Sequence, residues 1–269
     1  MAFWIICGCL IVILLVFEWV IRQFKIGNYK SRYVLITGCD SGFGNELAKQ
    51  LEALGFNVFA CCLTKSAVEK FDETGSSKQK AIEMDVTKDA SIEKAMEIVK
   101  RALPQGKGLW AVVNNAGISG GIGSINLHSR KDYDDTLAVN LLGVIMVTKA
   151  FLQLVIMEKG RFVNTSSVMG RVAALSSSYS ISKYGVEAFS DVLRREMYRK
   201  GVNVQIIEPG VFKTTIWGGA EEISVAWQKR KWRVCKLRSG HNFQTTLLKS
   251  VWFNKYFLKT KCAFLFSLF

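Results

Sequence analysis

Proline and histidine are scarce in this 269-residue chain, with two of each, and acidic residues are outnumbered 22 to 36 by lysine and arginine. The two histidines, His128 and His241, are isolated, so no metal centre is implied. The seven cysteines (Cys7, Cys9, Cys39, Cys61, Cys62, Cys235 and Cys262) are odd in number and lack C-x-x-C pairs. Neither a structural zinc nor a secreted disulfide framework is expected, and they read as buried free thiols. Few prolines together with 49% hydrophobic residues exclude a disordered or collagen-like chain. There is no internal repeat, no low-complexity tract and no obvious inter-domain linker. No nucleic-acid recognition module accompanies the formal charge of +14, so no nucleic-acid partner is expected.

The charge is unevenly placed. Residues 1–220 hold 26 basic and 20 acidic side chains, whereas 221–269 hold 10 and 2. At the other end, Phe3 to Ile21 is apolar or small except for Glu18, and Arg22, Lys25, Lys30 and Arg32 follow it. Nineteen helical residues span about 28 Å, close to the thickness of a bilayer core. No basic segment precedes the run and no A-x-A-like site follows it, which favours an uncleaved N-terminal transmembrane helix over a signal peptide. The basic flank then places the bulk of the chain in the cytosol.

After this anchor and connector, residues 1–30, apolar strand-like runs alternate with helical periodicity. Tyr33-Val34-Leu35-Ile36 reads as a strand; Leu47, Ala48, Leu51 and Leu54 recur at helical spacing and stop at Gly55. Strands follow at about 58–63, 81–84, 110–113, 162–165 and 202–207, and helices at about 66–72, 91–102, 136–157 and 179–198. Six alternations predict an α/β fold, a doubly wound parallel sheet of Rossmann-like type with helices on both faces. Such sheets bind ligands beyond the carboxyl ends of their strands. Gly38, Gly42 and Gly44 follow the first strand and open a helix, a place where glycines permit a tight turn and helix N–H groups face a pyrophosphate.

Thr37-Gly38-x-x-x-Gly42-x-Gly44, Asn114-Asn115-Ala116-Gly117, Asn140, Ser167, Tyr179-x-x-x-Lys183 and Pro209-Gly210 together resemble the short-chain dehydrogenase/reductase family. Cys39-Asp40-Ser41-Gly42-Phe43-Gly44 and Leu193-Arg194-Arg195-Glu196 resemble its membrane-bound retinol and hydroxysteroid dehydrogenase branch. The resemblance spans about 31–217, within a catalytic domain placed at 31–220. It implies an NAD- or NADP-dependent oxidoreductase that interconverts a lipophilic alcohol and its carbonyl. It also implies an endoplasmic reticulum membrane with the catalytic domain facing the cytosol, and is compatible with a homo-oligomer.

Residue by residue, the resemblance assigns the cofactor site to Gly38, Ser41, Gly42, Gly44, Asp85, Asn114, Ala116, Gly117 and Thr214, joined by Tyr179 and Lys183. Catalysis falls to Asn140, Ser167, Tyr179 and Lys183, with Ser166 the fallback for Ser167. Tyr179 and Lys183 lie one helical turn apart, and a phenol titrates near pH 10. Two charges about 4 Å apart at an effective dielectric near 20 interact by about 4 kcal/mol, so Lys183, helped by the positive nicotinamide of the oxidised cofactor, is expected to bring Tyr179 toward a working pKa. Ser167 is expected to bind the substrate oxygen, and Asn140 to hold a water for proton relay to Lys183. An acidic residue after the second strand would select NAD and a basic one NADP. Cys61-Cys62-Leu63-Thr64-Lys65 offers no carboxylate there, and Lys65 leaves NADP open.

The last segment, 221–269, departs from the family pattern. It reads as an atypical basic ending, helical to about Lys231 and then aromatic and basic, lying at a membrane interface or replacing a longer ending. It does not match the family's seventh strand, and without that strand Val204, Gln205, Ile206 and Ile207 would form an apolar sheet edge. A catalytically weak membrane protein that keeps the cofactor fold, and a 3-hydroxybutyrate dehydrogenase, stand as the alternative readings.

Overall fold

The computed structural model describes residues 27–210 apart from 75–77, 122, 124 and 174–175, together with 10, 12–14, 16 and 17. Thr214, the region of a seventh strand and the whole segment 221–269 lie outside the described residues.

Six strands form one parallel sheet: β1 (Tyr33–Thr37), β2 (Asn57–Cys62), β3 (Gln79–Glu83), β4 (Ala111–Asn114), β5 (Arg161–Thr165) and β6 (Asn203–Ile207). Their spatial order is β3-β2-β1-β4-β5-β6, so the direction of winding reverses between β1 and β4. Val34, Leu35 and Ile36 pair with Ala111, Val112 and Val113, and all six are buried. A strand covered on both faces needs this continuous apolar run rather than an alternating one. Among the described residues β6 ends the sheet, paired to β5 alone.

Six helices connect the strands: α1 (Gly42–Ala53), α2 (Lys65–Thr74), α3 (Asp89–Ala102), α4 (Arg130–Leu137), α5 (Gly143–Met157) and α6 (Ser177–Tyr198). The helix α3 turns its apolar stripe of Ile92, Ala95 and Val99 into the core. Phe151 and Val155 of α5 join Leu35, Val112 and Phe162 of the strands in one core cluster.

The predicted helix at 136–157 starts earlier, at Arg130. Ser129 caps it through a reciprocal pair in which its backbone N–H donates to the Asp132 carboxylate at 2.7 Å and the Asp132 N–H donates back to its hydroxyl. This capping box satisfies two N–H groups that a first helical turn otherwise leaves open. Between α4 and α5, Ala138–Leu142 widens into a π-helical stretch. The run Arg130–Met157 is long and apolar enough to cross a membrane. Its residues Val144, Val147, Phe151, Leu154 and Val155 are buried, as befits a core helix of the sheet fold.

The described residues before Lys30 belong to a separate unit. Within the expected anchor, Leu10, Val12, Ile13, Leu14, Val16 and Phe17 are helical and more than half exposed. The rest of the expected anchor lies outside the described residues.

Candidate active site

A cavity of about 770 Å³ opens at the carboxyl ends of the strands. Its walls come from the turn after every strand: Gly38 and 40–43 after β1, Leu63 after β2, 84–87 after β3, 115–119 after β4, 166–169 after β5, and 209–210 after β6. Tyr179 and Lys183 enter from α6.

The glycine loop has the backbone that its residues predict. Gly38 and Gly42 take left-handed φ values of +69° and +62°, a region costly for residues with a Cβ. A Cβ on Gly38 would also sit 2.7 Å from the Cα of Ala116, and one on Gly44 would collide with the carbonyl oxygen of Gly38. Gly44 therefore shapes the loop from behind. Ser41 stands at the N-cap of α1 without capping it, and no acidic residue occupies the first turn. The positive end of the helix thus faces the cavity with no carboxylate in its own first turn.

Thr37 and Asn115, present in the motifs but given no role of their own there, latch this loop to the turn after β4. The Thr37 hydroxyl accepts the N–H groups of Asn115 at 3.0 Å and Ala116 at 2.9 Å. The Asn115 side chain donates to the carbonyls of Thr37 and Gly38. Asn115 lines the cavity, whereas Asn114 is buried beneath it and donates to Thr148 and to Asn164, tying β4 to α5 and β5. The signal for Asn115 lay in the Asn-Asn pair, but which member faces the cavity depends on the pleat. Asp85 lines the cavity and also accepts from the N–H and hydroxyl of Thr87, so it closes the turn before α3.

At the opposite end, Ser167, Tyr179 and Lys183 meet. The Ser167 hydroxyl accepts the Met169 N–H at 3.2 Å and donates to the Pro209 carbonyl at 3.4 Å, and it lies close enough to the Tyr179 phenol to favour its ionised form. Lys183 donates from Nζ to the Thr165 carbonyl at 2.7 Å and lies 5.5 Å from the centre of the Tyr179 ring. Ser166 also borders the cavity, but its hydroxyl donates to the backbone carbonyl of Lys183 at 3.4 Å. Burial pushes the Tyr179 phenol above its ordinary value, with the Ser167 hydroxyl opposing it. Burial also pulls the Lys183 ammonium down to about 8, with Glu187 opposing. Both groups are out of water, and the Lys183 ammonium is held by the Thr165 carbonyl.

Asn140 sits in the π-helical stretch and is buried. Its carboxamide accepts from Ile118 N–H at 2.8 Å and donates to Ile118 carbonyl and to Ser182. Both amide donors are thus committed to protein partners, and the side chain pins the turn at 118 to α6. Lys65 begins α2 and does not line the cavity.

Loop glycines, an uncapped helix start and an elongated cavity across the point where winding reverses fit a nicotinamide dinucleotide. The sequence profile described as short chain dehydrogenase matches residues 32–223. The chain is 44% identical over 222 residues to 17-beta-hydroxysteroid dehydrogenase type 6 of Bos taurus, covering 82% of this chain and 70% of that protein. It is 46% identical over 213 residues to retinol dehydrogenase 16 of Homo sapiens, covering 79% and 67%. A short-chain dehydrogenase structure from Streptomyces avermitilis superposes with a TM-score of 0.63 at 29% identity, covering 68% of this chain and 67% of that one. The chain belongs to the short-chain dehydrogenase family, in its retinol and hydroxysteroid dehydrogenase branch, and is an NAD(P)-dependent oxidoreductase of alcohols and carbonyls.

Proposed function

We propose that this enzyme acts on a lipophilic alcohol of retinoid or steroid type at the cytosolic face of the endoplasmic reticulum membrane, with Ser167, Tyr179 and Lys183 as the reacting machinery. The observation that carries the reading is that Ser167, Tyr179 and the buried Lys183 line one cavity with the glycine loop. The similarity to a retinol dehydrogenase and a hydroxysteroid dehydrogenase, and the apolar run at residues 3–21, support the lipophilic substrate and the membrane.

When bound, the nicotinamide supplies or accepts the hydride. Tyr179 holds the transferable proton on its phenolic oxygen and gives it to a substrate oxygen during reduction, or takes it during oxidation. Ser167 donates a hydrogen bond to that same oxygen and stabilises charge developing there. Lys183, anchored on the Thr165 carbonyl, supplies positive charge from the adjacent turn. Asn140 is a positioning residue that holds the turn at 118 in place.

The test uses the full chain in detergent, with retinol, hydroxysteroids and 3-hydroxybutyrate as alternative substrates and reduced nicotinamide as the optical signal. Turnover of a retinoid or steroid is expected, and Tyr179→Phe is expected to lower kcat by roughly 10²-fold or more. Equal turnover by both proteins, with cofactor binding intact, refutes the assignment of Tyr179.

A further inference from the structure

In open parallel sheets the carboxyl end of the second strand is where the adenosine ribose is read: an acidic side chain accepts from the 2′-hydroxyl, and a basic one accommodates a 2′-phosphate. Neither β2 nor Leu63, Thr64 and Lys65 directly after it carries a carboxylate. The fold nevertheless delivers one from the loop after β1. Asp40 accepts the backbone N–H of Leu63 with both oxygens, at 2.9 and 3.1 Å. Through Oδ1 it also accepts the N–H of Thr64 at 3.3 Å and the Thr64 hydroxyl at 3.4 Å.

The sheet register sets this placement. Thr37 pairs with Cys61, and the N–H of Cys39 donates to the carbonyl of Cys61, so the first residues beyond β1 run alongside those beyond β2. Asp40 and Leu63 both line the cavity, together with Gly38 and Asp85. The charge acts locally: burial and, after it, the Asp40 carboxylate push the Cys62 thiol up to about 12. Lys65, the one cation that the sequence offers there, does not line the cavity.

We propose that Asp40 is the residue that discriminates between the two nicotinamide dinucleotides, holding the adenosine ribose diol and repelling a 2′-phosphate, so that the enzyme is selective for NAD(H). Like charge at short range excludes the wrong ligand without weakening the right one. The assignment rests on the dinucleotide occupying this cavity, as proposed above.

The experiment measures binding, with no substrate present, by titrating NADH and NADPH against the tryptophan fluorescence of the full chain in detergent. Wild type is expected to bind NADH at least tenfold more tightly than NADPH, on the order of one close like-charge contact. Asp40→Asn keeps the acceptor for the Leu63 N–H while removing the charge, and is expected to narrow that ratio at least tenfold through a gain in NADPH affinity. Such a gain cannot arise from loss of structure. Lys65→Ala is expected to leave the ratio in place. Wild type that binds both equally, or NADPH better, overturns the role of Asp40 whether or not any variant folds. An unchanged ratio in folded Asp40→Asn does the same. A folded wild type that binds neither overturns the dinucleotide reading of the cavity and this assignment with it.

Discussion

Lys183 and Glu187 lie one turn apart on α6, and Glu187 forms a 3.0 Å ion pair with Arg171, which also reaches Glu208. Burial disfavours the charged Lys183 in the folded protein, and the Glu187 carboxylate opposes it. A lysine whose folded pKa falls from 10.5 to about 8 destabilises the fold below pH 8, and this penalty fades as pH rises toward 10.5. Reduction of a carbonyl needs both the phenol of Tyr179 and the ammonium of Lys183 protonated, so its rate is expected to fall as pH rises through about 8. Glu187→Gln is expected to move that fall to lower pH, read from the pH profile of kcat/KM, while the conservative Glu187→Asp restores it in part. The two neighbouring serines give a second contrast. Ser167→Ala is expected to lower kcat by roughly 10²-fold. Ser166→Ala, which loses a bond to the Lys183 carbonyl, is expected to cost about 1 kcal/mol of stability, read by denaturant unfolding, and little of kcat.

At the scale of elements, the sheet and the cavity are coupled by a few buried amides. Asn114 ties β4 to α5 and β5, whereas Asn115 ties the turn after β4 to the glycine loop. Asn114→Ala is expected to lower stability by about 1–3 kcal/mol and leave NADH affinity largely intact. Asn115→Ala is expected to weaken both, since it frees the loop; paired unfolding curves and NADH titrations separate the two. The helix start at Arg130 depends on the Ser129 cap, and Ser129→Ala is expected to cost about 1 kcal/mol. The start that periodicity placed near Thr136 missed this turn because Arg130 to Asp135 is polar apart from Tyr133 and exposed apart from Asp132 and Tyr133, leaving no apolar stripe to read; only the Ser-x-x-Asp spacing marked it.

Across the whole molecule, the alternation of six strands and their helices was readable from apolar runs and helical spacing, because burial on both faces of a parallel sheet demands those patterns. The glycine loop and the Tyr179–Lys183 pair were readable for a related reason: each depends on neighbours within one turn of chain. Two site features resisted that reading. Asp40 reaches Leu63 and Thr64 across 23 and 24 residues of sequence, and Thr37 reaches Asn115 across 78, both through parallel strand pairing. Membrane attachment belongs to this scale too. If residues 3–21 span a bilayer, the chain is expected to stay in the membrane pellet after alkaline carbonate extraction. Arginines at Ile13 and Leu14 are expected to release it, each costing about 2.5–3.5 kcal/mol at the centre of a membrane helix.

The sequence by itself determined which segments become strands and helices, and that glycines, a tyrosine and a lysine stand at the right boundaries, because these are properties of local backbone geometry and period. The tertiary structure alone decided which serine faces Tyr179, which asparagine faces the cavity, and how far Tyr179 and Lys183 are withdrawn from water. It also placed the Asp40 carboxylate at the end of β2, where no acidic residue follows in sequence. Side-chain direction and desolvation arise from elements far apart in the chain, and they exist only once the sheet has brought those elements together.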